Sequence, residues 1–231
     1  MSTAVVEAQG LIKSFGSTRA LAGVDLRIAS GESVAIMGAS GSGKTTLLHV
    51  LAGITRPDGG RVTFLPPAGG VVEVSALSES ARSRLRRESF GFVFQQGLLM
   101  PELTAVENVA LAAMITGVSR AEATQRAAGR LAALGLQGME DRRIGELSGG
   151  QAQRVAIARA QVTGASVVFA DEPTGALDST TSSEVMDALL WSTTGQGRTL
   201  VVVTHDPQVA ARCSRTIAVR DGRVLGSAVA A

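Results

Sequence analysis

"SVAIMGASGSGKTTLLHVLAG", residues 33–53, joins three kinds of sequence in one run. "SVAIM" (33–37) is a short apolar stretch of the sort that fills a buried strand. "KTTLLHVLAG" carries apolar residues at helical spacing and stops at Gly53. Between them "GASGSGKT" matches Gly-x4-Gly-Lys-Thr completely. Glycines there allow the backbone to fold closely around phosphate groups with its N–H groups facing inward, and the following helix N-terminus adds a favourable dipole. Strand, glycine loop and helix in that order predict an α/β fold.

Outward from that run, residues 5–14 and 20–28 alternate apolar and polar, which predicts half-buried antiparallel strands. "RPDGG" (56–60) reads as a turn, followed by a hairpin of "RVTFL" and "VVEV" across "PPAGG", and "FGFVF" (90–94) reads as a strand. From about 103 to 163 the pattern becomes Ala- and Leu-rich and helical, with Ser119 and Glu122 spaced for a capping box. Buried-type strands return at 166–170, 199–204 and 216–220, with a helix over 180–192 between the first two. Such alternation predicts a parallel sheet with helices on its faces. The expected organisation is one domain over 1–231, with a core of 1–96 and 164–231 and a helical subdomain over about 97–163.

Composition narrows the function classes. The 231 residues are 45% hydrophobic and 18% charged, and Lys+Arg exceed Asp+Glu by only two (22 against 20). With aromatics at 3% and no basic–aromatic interleaving, a nucleic-acid partner is not expected. One cysteine excludes a disulfide framework, and two histidines beside it argue against a zinc cluster. The N-terminus lacks the charge and apolar core of a signal peptide, and no apolar run approaches the roughly 18–20 residues of a membrane span. The expected location is therefore the cytoplasm. His49, Cys213 and Trp191 read as structural, and "RSRLRR" (82–87) as a solvated face.

Two further stretches carry chemistry. "SVVFADE" ends an apolar strand in adjacent carboxylates: Asp171 suits Mg²⁺, and Glu172 suits a general base for a water attacking a γ-phosphate. Lys44 suits the β- and γ-phosphates, and the Thr45 hydroxyl suits the metal. "LSGGQ" (147–151) opens a second helix whose N-terminus is also a ready anion site.

With "LSGGQ" added, nearly the whole chain resembles the ATPase subunit of an ATP-binding cassette (ABC) transporter, and its motifs fall in that family's order. The fold implied is a P-loop NTPase core with a mixed sheet, an antiparallel β subdomain and a helical insertion. The resemblance implies that Phe15 stacks on adenine and that Gly38, Ser40, Gly41, Ser42, Gly43, Lys44, Thr45 and Thr46 cradle ATP. It makes Gln95 a contact of Mg²⁺ and the attacking water, beside Thr45 and Asp171 as metal-site residues. Ser148, Gly149, Gly150 and Gln151 form the signature, Asp178 belongs to the "GALD" loop at the dimer interface, and His205 is the switch histidine beside Glu172.

Two phosphate grips in one chain then have a reason. Two subunits pack head to tail as a homodimer, each ATP lying between one subunit's phosphate loop and the other's signature. "FGFVFQQGLLMPELTAVENVALA" with "DEPTGALD" resembles the lipoprotein-releasing, macrolide-exporting and cell-division branch. That branch implies an integral membrane permease as a separate chain, with the ATPase peripheral at the inner face of the membrane and powering export or extraction. The alternative is a mechanical regulator of a cell-envelope or division complex, without transport. The family usually has Gln at Ala152 and Leu at Gln161, and the branch usually has Asn at Ala176. Leu98, Leu99 and Met100, three apolar residues in a loop after Gln95, are expected either to meet the permease, with Leu99 as its contact, or to fold back into the helical insertion.

Overall fold

The computed structural model describes residues 3–229. Two long strands, β1 (Ala4–Phe15) and β2 (Thr18–Ala29), pair antiparallel across the tight turn at Gly16. Then come β3 (Ser33–Met37), α1 (Lys44–Leu51), β4 (Gly59–Phe64), the two-residue β5 (Val72–Glu73), α2 (Glu79–Ser89) and β6 (Phe90–Phe94). Helices α3 (Ala105–Met114), α4 (Arg120–Ala133) and α5 (Gly149–Gln161) follow. The chain ends with β7 (Val167–Asp171), α6 (Ser179–Ser192), β8 (Thr199–Thr204), α7 (Pro207–Ala210), β9 (Arg215–Arg220) and β10 (Arg223–Val229).

The strands form two sheets. One is antiparallel, in the order β2-β1-β4-β5. The other is mixed, in the order β10-β9-β3-β8-β7-β6, parallel from β9 to β6 with β10 as an antiparallel edge. The central strands are apolar on both faces, so successive residues supply two separate cores. Val34, Ile36, Val167, Phe169, Val201 and Val203 join the core shared with the antiparallel sheet and α1. Ala35, Val168, Ala170, Leu200 and Val202 join the core shared with α3, α4, α5 and α6. The α/β fold with a mixed sheet, an antiparallel β layer and a helical insertion is the one expected.

Several local outcomes differ from the sequence reading. The hairpin after β4 is short, because Val74 leaves β5 and turns into the core through a single helical turn. Residues 82–87, read as a solvated face, lie in α2, which Ser78 caps by accepting from the Ala81 N–H, and Arg82 is buried there beside Glu79 instead of solvated. Strand β10 was not anticipated, although Asp221-Gly222 gives the turn that starts it. Ser119 caps α4 by accepting from the Glu122 N–H, but Glu122 does not return the bond; its carboxylate pairs with Arg126. Trp191, read as structural and not reactive, is 53% exposed on α6. Cys213 is buried, and burial pushes its thiol up to about 11, which keeps it protonated and unreactive. At Gln161, where the resembled family has Leu, the buried amide donates to Ser192 Oγ at 2.7 Å. A polar side chain there is satisfied, not strained.

Candidate functional site

The loop at Gly38–Thr46 is shaped by close approaches that only glycine permits. A Cβ on Gly38 would lie 2.1 Å from the Val219 carbonyl oxygen, and one on Gly43 would lie 2.3 Å from that of Ala20. Gly43 is also the N-cap of α1, with φ 101° and no side-chain cap. The first N–H groups of α1 are thus left for an external acceptor. Gly43→Ala is expected to cost about 3 kcal/mol or more, combining left-handed strain with a backbone clash. Calorimetry should show Tm falling by roughly 10 °C, with nucleotide binding lost alongside.

Lys44 is buried and folds back over the loop, donating to Gly38 O (2.8 Å) and Ala39 O (2.9 Å). Its ammonium therefore sits inside the ring of the loop, where an incoming phosphate would meet it. Ser42 Oγ is fully buried without a hydrogen-bond partner, and it lies beside Gly38. An orphaned hydroxyl of this kind fits an absent polar ligand. Ser40 and Gly41 stand exposed at the loop's tip, and Thr46 is half-buried.

At the C-terminal end of β7, the Asp171 carboxylate accepts from Thr45 Oγ1 at 3.2 Å, tying the two strand–loop units together. Burial raises the Asp171 pKa above its ordinary value, and neighbouring Glu172 adds to the rise, while the Thr45 bond, His49 and Lys44 oppose it. The ionised form thus carries a desolvation cost that a cation beside it would offset. One hydroxyl and one carboxylate, oxygen donors only, suit Mg²⁺ held mainly through phosphates.

Glu172 takes a left-handed backbone (φ 48°), fixed by its N–H donating to Val203 O at 2.9 Å. That turn swings its side chain toward His205, whose Nδ1 lies 2.9 and 3.0 Å from the two carboxylate oxygens. A carboxylate only accepts, so Nδ1 carries the proton of this pair. Gln95 follows β6, and its amide lies against Gly175, where a Cβ would be 3.0 Å from Nε2. Asp171, Glu172, His205 and Thr45 are therefore grouped at the C-terminal ends of β7 and β8 and the start of α1. Phe15 ends β1 and is 54% exposed. Lys13 Nζ lies 5.4 Å from its ring centroid, and Asp58 holds this turn by accepting from Lys13 Nζ and the Ser14 N–H.

The signature stands elsewhere. Ser148 and Gln151 form a reciprocal capping box at the start of α5: Ser148 Oγ accepts from the Gln151 N–H (3.3 Å), and Gln151 Oε1 accepts from the Ser148 N–H (2.9 Å). Gly150 is pressed against α6, where a Cβ would lie 2.4 Å from Thr181 Cγ2, while Ser148 and Gly149 face solvent. The S-x-x-Q spacing that marks this cap was legible in the sequence but was read only as an anion grip. Asp178 caps α6, accepting from the N–H groups of Thr180 and Thr181 and from the Thr181 hydroxyl. These bonds hold its carboxylate below the usual range.

Sequence reasoning missed two residues that shape this region. Gln153 and Arg159, both on α5, bond to main-chain carbonyls of the segment around Gln95. Of the three apolar residues after it, Leu98 and Met100 are exposed, whereas Leu99 turns inward onto the helical core. Leu98 borders a groove of about 480 Å³ floored by Phe90, Phe92 and Phe94 and rimmed by Arg86 and Arg87. No helix among the described residues is long and apolar enough to cross a membrane.

The family model described as "ABC transporter" matches residues 21–175. The macrolide export ATP-binding/permease protein MacB of Hyphomonas neptunium is 44% identical over 229 residues, 97% of this chain and 35% of that protein. The pyoverdine export ATP-binding/permease protein PvdT of Pseudomonas syringae pv. syringae is 46% identical over 230 residues, 97% of this chain and 34% of that protein. This chain spans about a third of the length of these curated relatives. Among solved structures, the dimeric post-hydrolysis state of the ATP-binding cassette MJ0796, bound to ADP and Pi, superposes with a TM-score of 0.85 at 37% identity. It covers 98% of this chain and 99% of that one. For cbiO1 of Clostridium perfringens the TM-score is 0.86 at 29% identity, covering 98% and 88%.

Proposed function

The chain belongs to the ABC transporter family, and from that membership we propose that it binds and hydrolyses ATP as a head-to-tail homodimer that powers a membrane permease in export. The observation that carries this reading is the separation of its two phosphate grips. The loop at Gly38–Thr46 rests on Ala20, Val219 and Asp171, whereas the Ser148–Gln151 cap rests on α6 and faces solvent. A second copy is what brings a signature to each loop. MJ0796, solved as a dimer with ADP and Pi, supports this arrangement.

In this reading Phe15 offers an exposed face for adenine, and the loop N–H groups take the phosphates. Lys44 exchanges its two carbonyl partners for β- and γ-phosphate oxygens, and Ser42 Oγ gains the partner it lacks. Thr45, Asp171 and Gln95 hold Mg²⁺, which supplies charge neutralisation along the phosphates. As the water oxygen bonds to the γ-phosphorus, Glu172 accepts its proton and the bond to the β-phosphate oxygen breaks. ADP and phosphate remain, and the proton passes from Glu172 to phosphate or solvent. His205 holds the Glu172 carboxylate through Nδ1–H. Once phosphate separates from ADP and leaves, no γ-phosphate joins one copy's loop to the other's signature, so the dimer opens, and that motion is what the permease uses.

The names of MacB and PvdT pair ATP binding with a permease and with export, which supports a permease partner and the export direction. The permease holds this ATPase at the inner face of the membrane. Its contact is the groove beside Leu98, not Leu99, because Leu99 belongs to the helical core. Leu98→Asp is expected to weaken permease association in detergent extracts at least tenfold, since a carboxylate buried in an apolar contact costs about 1–3 kcal/mol or more. ATP affinity of the isolated domain, followed by equilibrium titration, should stay within about twofold because Leu98 lies outside the cradle. A large loss of ATP affinity would remove Leu98 from the docking surface.

A further inference from the structure

Helix α5 starts at the signature and runs thirteen residues, about 20 Å, along β6. It is fastened to that strand and to the turn beyond it at three levels. At Gly91 the backbones nearly touch, and a Cβ there would lie 2.1 Å from the Ala160 carbonyl oxygen. Gln153, buried, donates from Nε2 to Phe94 O at 2.9 Å. Arg159 donates from Nη1 to Leu98 O at 2.6 Å and from Nη2 to Gly97 O at 2.7 Å.

The turn gripped by Arg159 has one main-chain bond near its start, Gly97 N–H to Phe94 O at 2.9 Å, and Asn108 holds its far end at Met100, which leaves the Gly97 and Leu98 carbonyls to Arg159. Gly97 and Leu98 are both left-handed, at φ 68° and 48°. For Leu98, a side-chain-bearing residue, that conformation is unfavourable and persists only where surroundings over-determine it. The Arg159 guanidinium has no ion-pair partner among the described residues, and burial lowers its pKa. A half-buried charge used on two consecutive carbonyls, and not on a carboxylate, serves the backbone it holds. The fork geometry matters, because an ammonium cannot reproduce two divergent donors in one plane.

We propose that Arg159 is a positioning residue for Gln95, locking the Gln95–Met100 turn to the helix that begins at Ser148 so that turn and signature move as one body. Gln95, which lies against Gly175, then follows α5 when that helix shifts with a nucleotide at its N-terminus. Leu98, on the same turn, follows into the groove. The inference rests on the catalytic reading of Gln95 given above, and its test separates the two.

The experiment is a double-mutant cycle on the full chain, with Gln95→Ala, Arg159→Gln and the pair, reading kcat, KM and ATP affinity. Arg159→Gln should lower kcat about tenfold at unchanged KM and ATP affinity, as misplacement of a catalytic group does. In the Gln95→Ala background the same substitution should cost nothing further, because there is no side chain left to position. Arg159→Lys, which keeps the charge but loses the fork, should fall between wild type and Arg159→Gln, and it carries the cycle if the Gln variant does not fold. Additive losses in kcat, or a parallel fall in ATP affinity, overturn the positioning role. Wild-type kcat in Gln95→Ala alone overturns the catalytic reading of Gln95 itself.

Discussion

Glu172→Gln should keep ATP and stop turning it over. The amide has the shape of the carboxylate and still offers an oxygen to His205 Nδ1–H, now 2.9 Å away. The φ of 48° that aims the side chain is set by the main-chain bond to Val203 O, which the substitution does not touch. What disappears is the ability to accept a proton at the moment of attack. A lost general base lowers kcat by about 10²–10⁴-fold. Lys44, Ser42, Thr45 and Asp171 are unchanged, so Mg-ATP should bind as before. With binding intact and hydrolysis halted, the nucleotide-joined dimer should accumulate. Size-exclusion chromatography of the purified variant in Mg-ATP should show a dimer that reverts to monomer in ADP. A variant that stays monomeric in Mg-ATP at high concentration would remove the shared-nucleotide arrangement, and one that hydrolyses at the wild-type rate would move the base away from Glu172.

How much of this was legible beforehand depended on whether a residue's role is local. The phosphate loop is local: Gly38 and Gly43 are required by carbonyls 2.1 and 2.3 Å from where a Cβ would stand, and the motif spacing reports that need directly. Strands β3, β7 and β8 are buried on both faces, and their unbroken apolar runs say so. Strand β10 has a glycine at position 226 and little alternation, so only the Asp221-Gly222 turn marked it. In "GLLM" three apolar residues look equivalent, yet left-handed backbone at Gly97 and Leu98 sends Leu99 inward and leaves Leu98 in the groove. No periodicity encodes that. The bonds from Gln153 and Arg159 to the turn span about sixty residues of sequence, and an amide or a guanidinium on a helix face gives no sign of which distant carbonyl it meets. Asp178 shows the opposite limit, because its role as the N-cap of α6 is local and competes with any contact across an interface.

Ser148→Arg and Lys44→Ala should each abolish ATP turnover alone, yet a mixture of the two chains should recover part of it. Lys44→Ala removes a buried ammonium from the centre of the loop, where it donates to Gly38 O and Ala39 O. A charge lost from a desolvated site should cost most of the affinity for ATP. Ser148→Arg acts differently. Ser148 is exposed at the start of α5 and shares no hydrogen bond with residues 38–46, so the subunit's own cradle should still bind ATP. The bulky cation would instead obstruct closure onto the other copy's nucleotide and remove the Ser148–Gln151 cap. In a mixed dimer both lesions fall on one composite site, the loop of the Lys44→Ala chain and the signature of the Ser148→Arg chain. The other site then has an intact loop and an intact signature. Assay of an equimolar mixture, with mixed dimers verified by two affinity tags, should show turnover well above either parent. If both sites must fire together, turnover stays low but the mixed dimer should still trap one ATP. Verified mixed dimers that neither hydrolyse nor retain ATP would mean that the two grips do not meet across a subunit boundary.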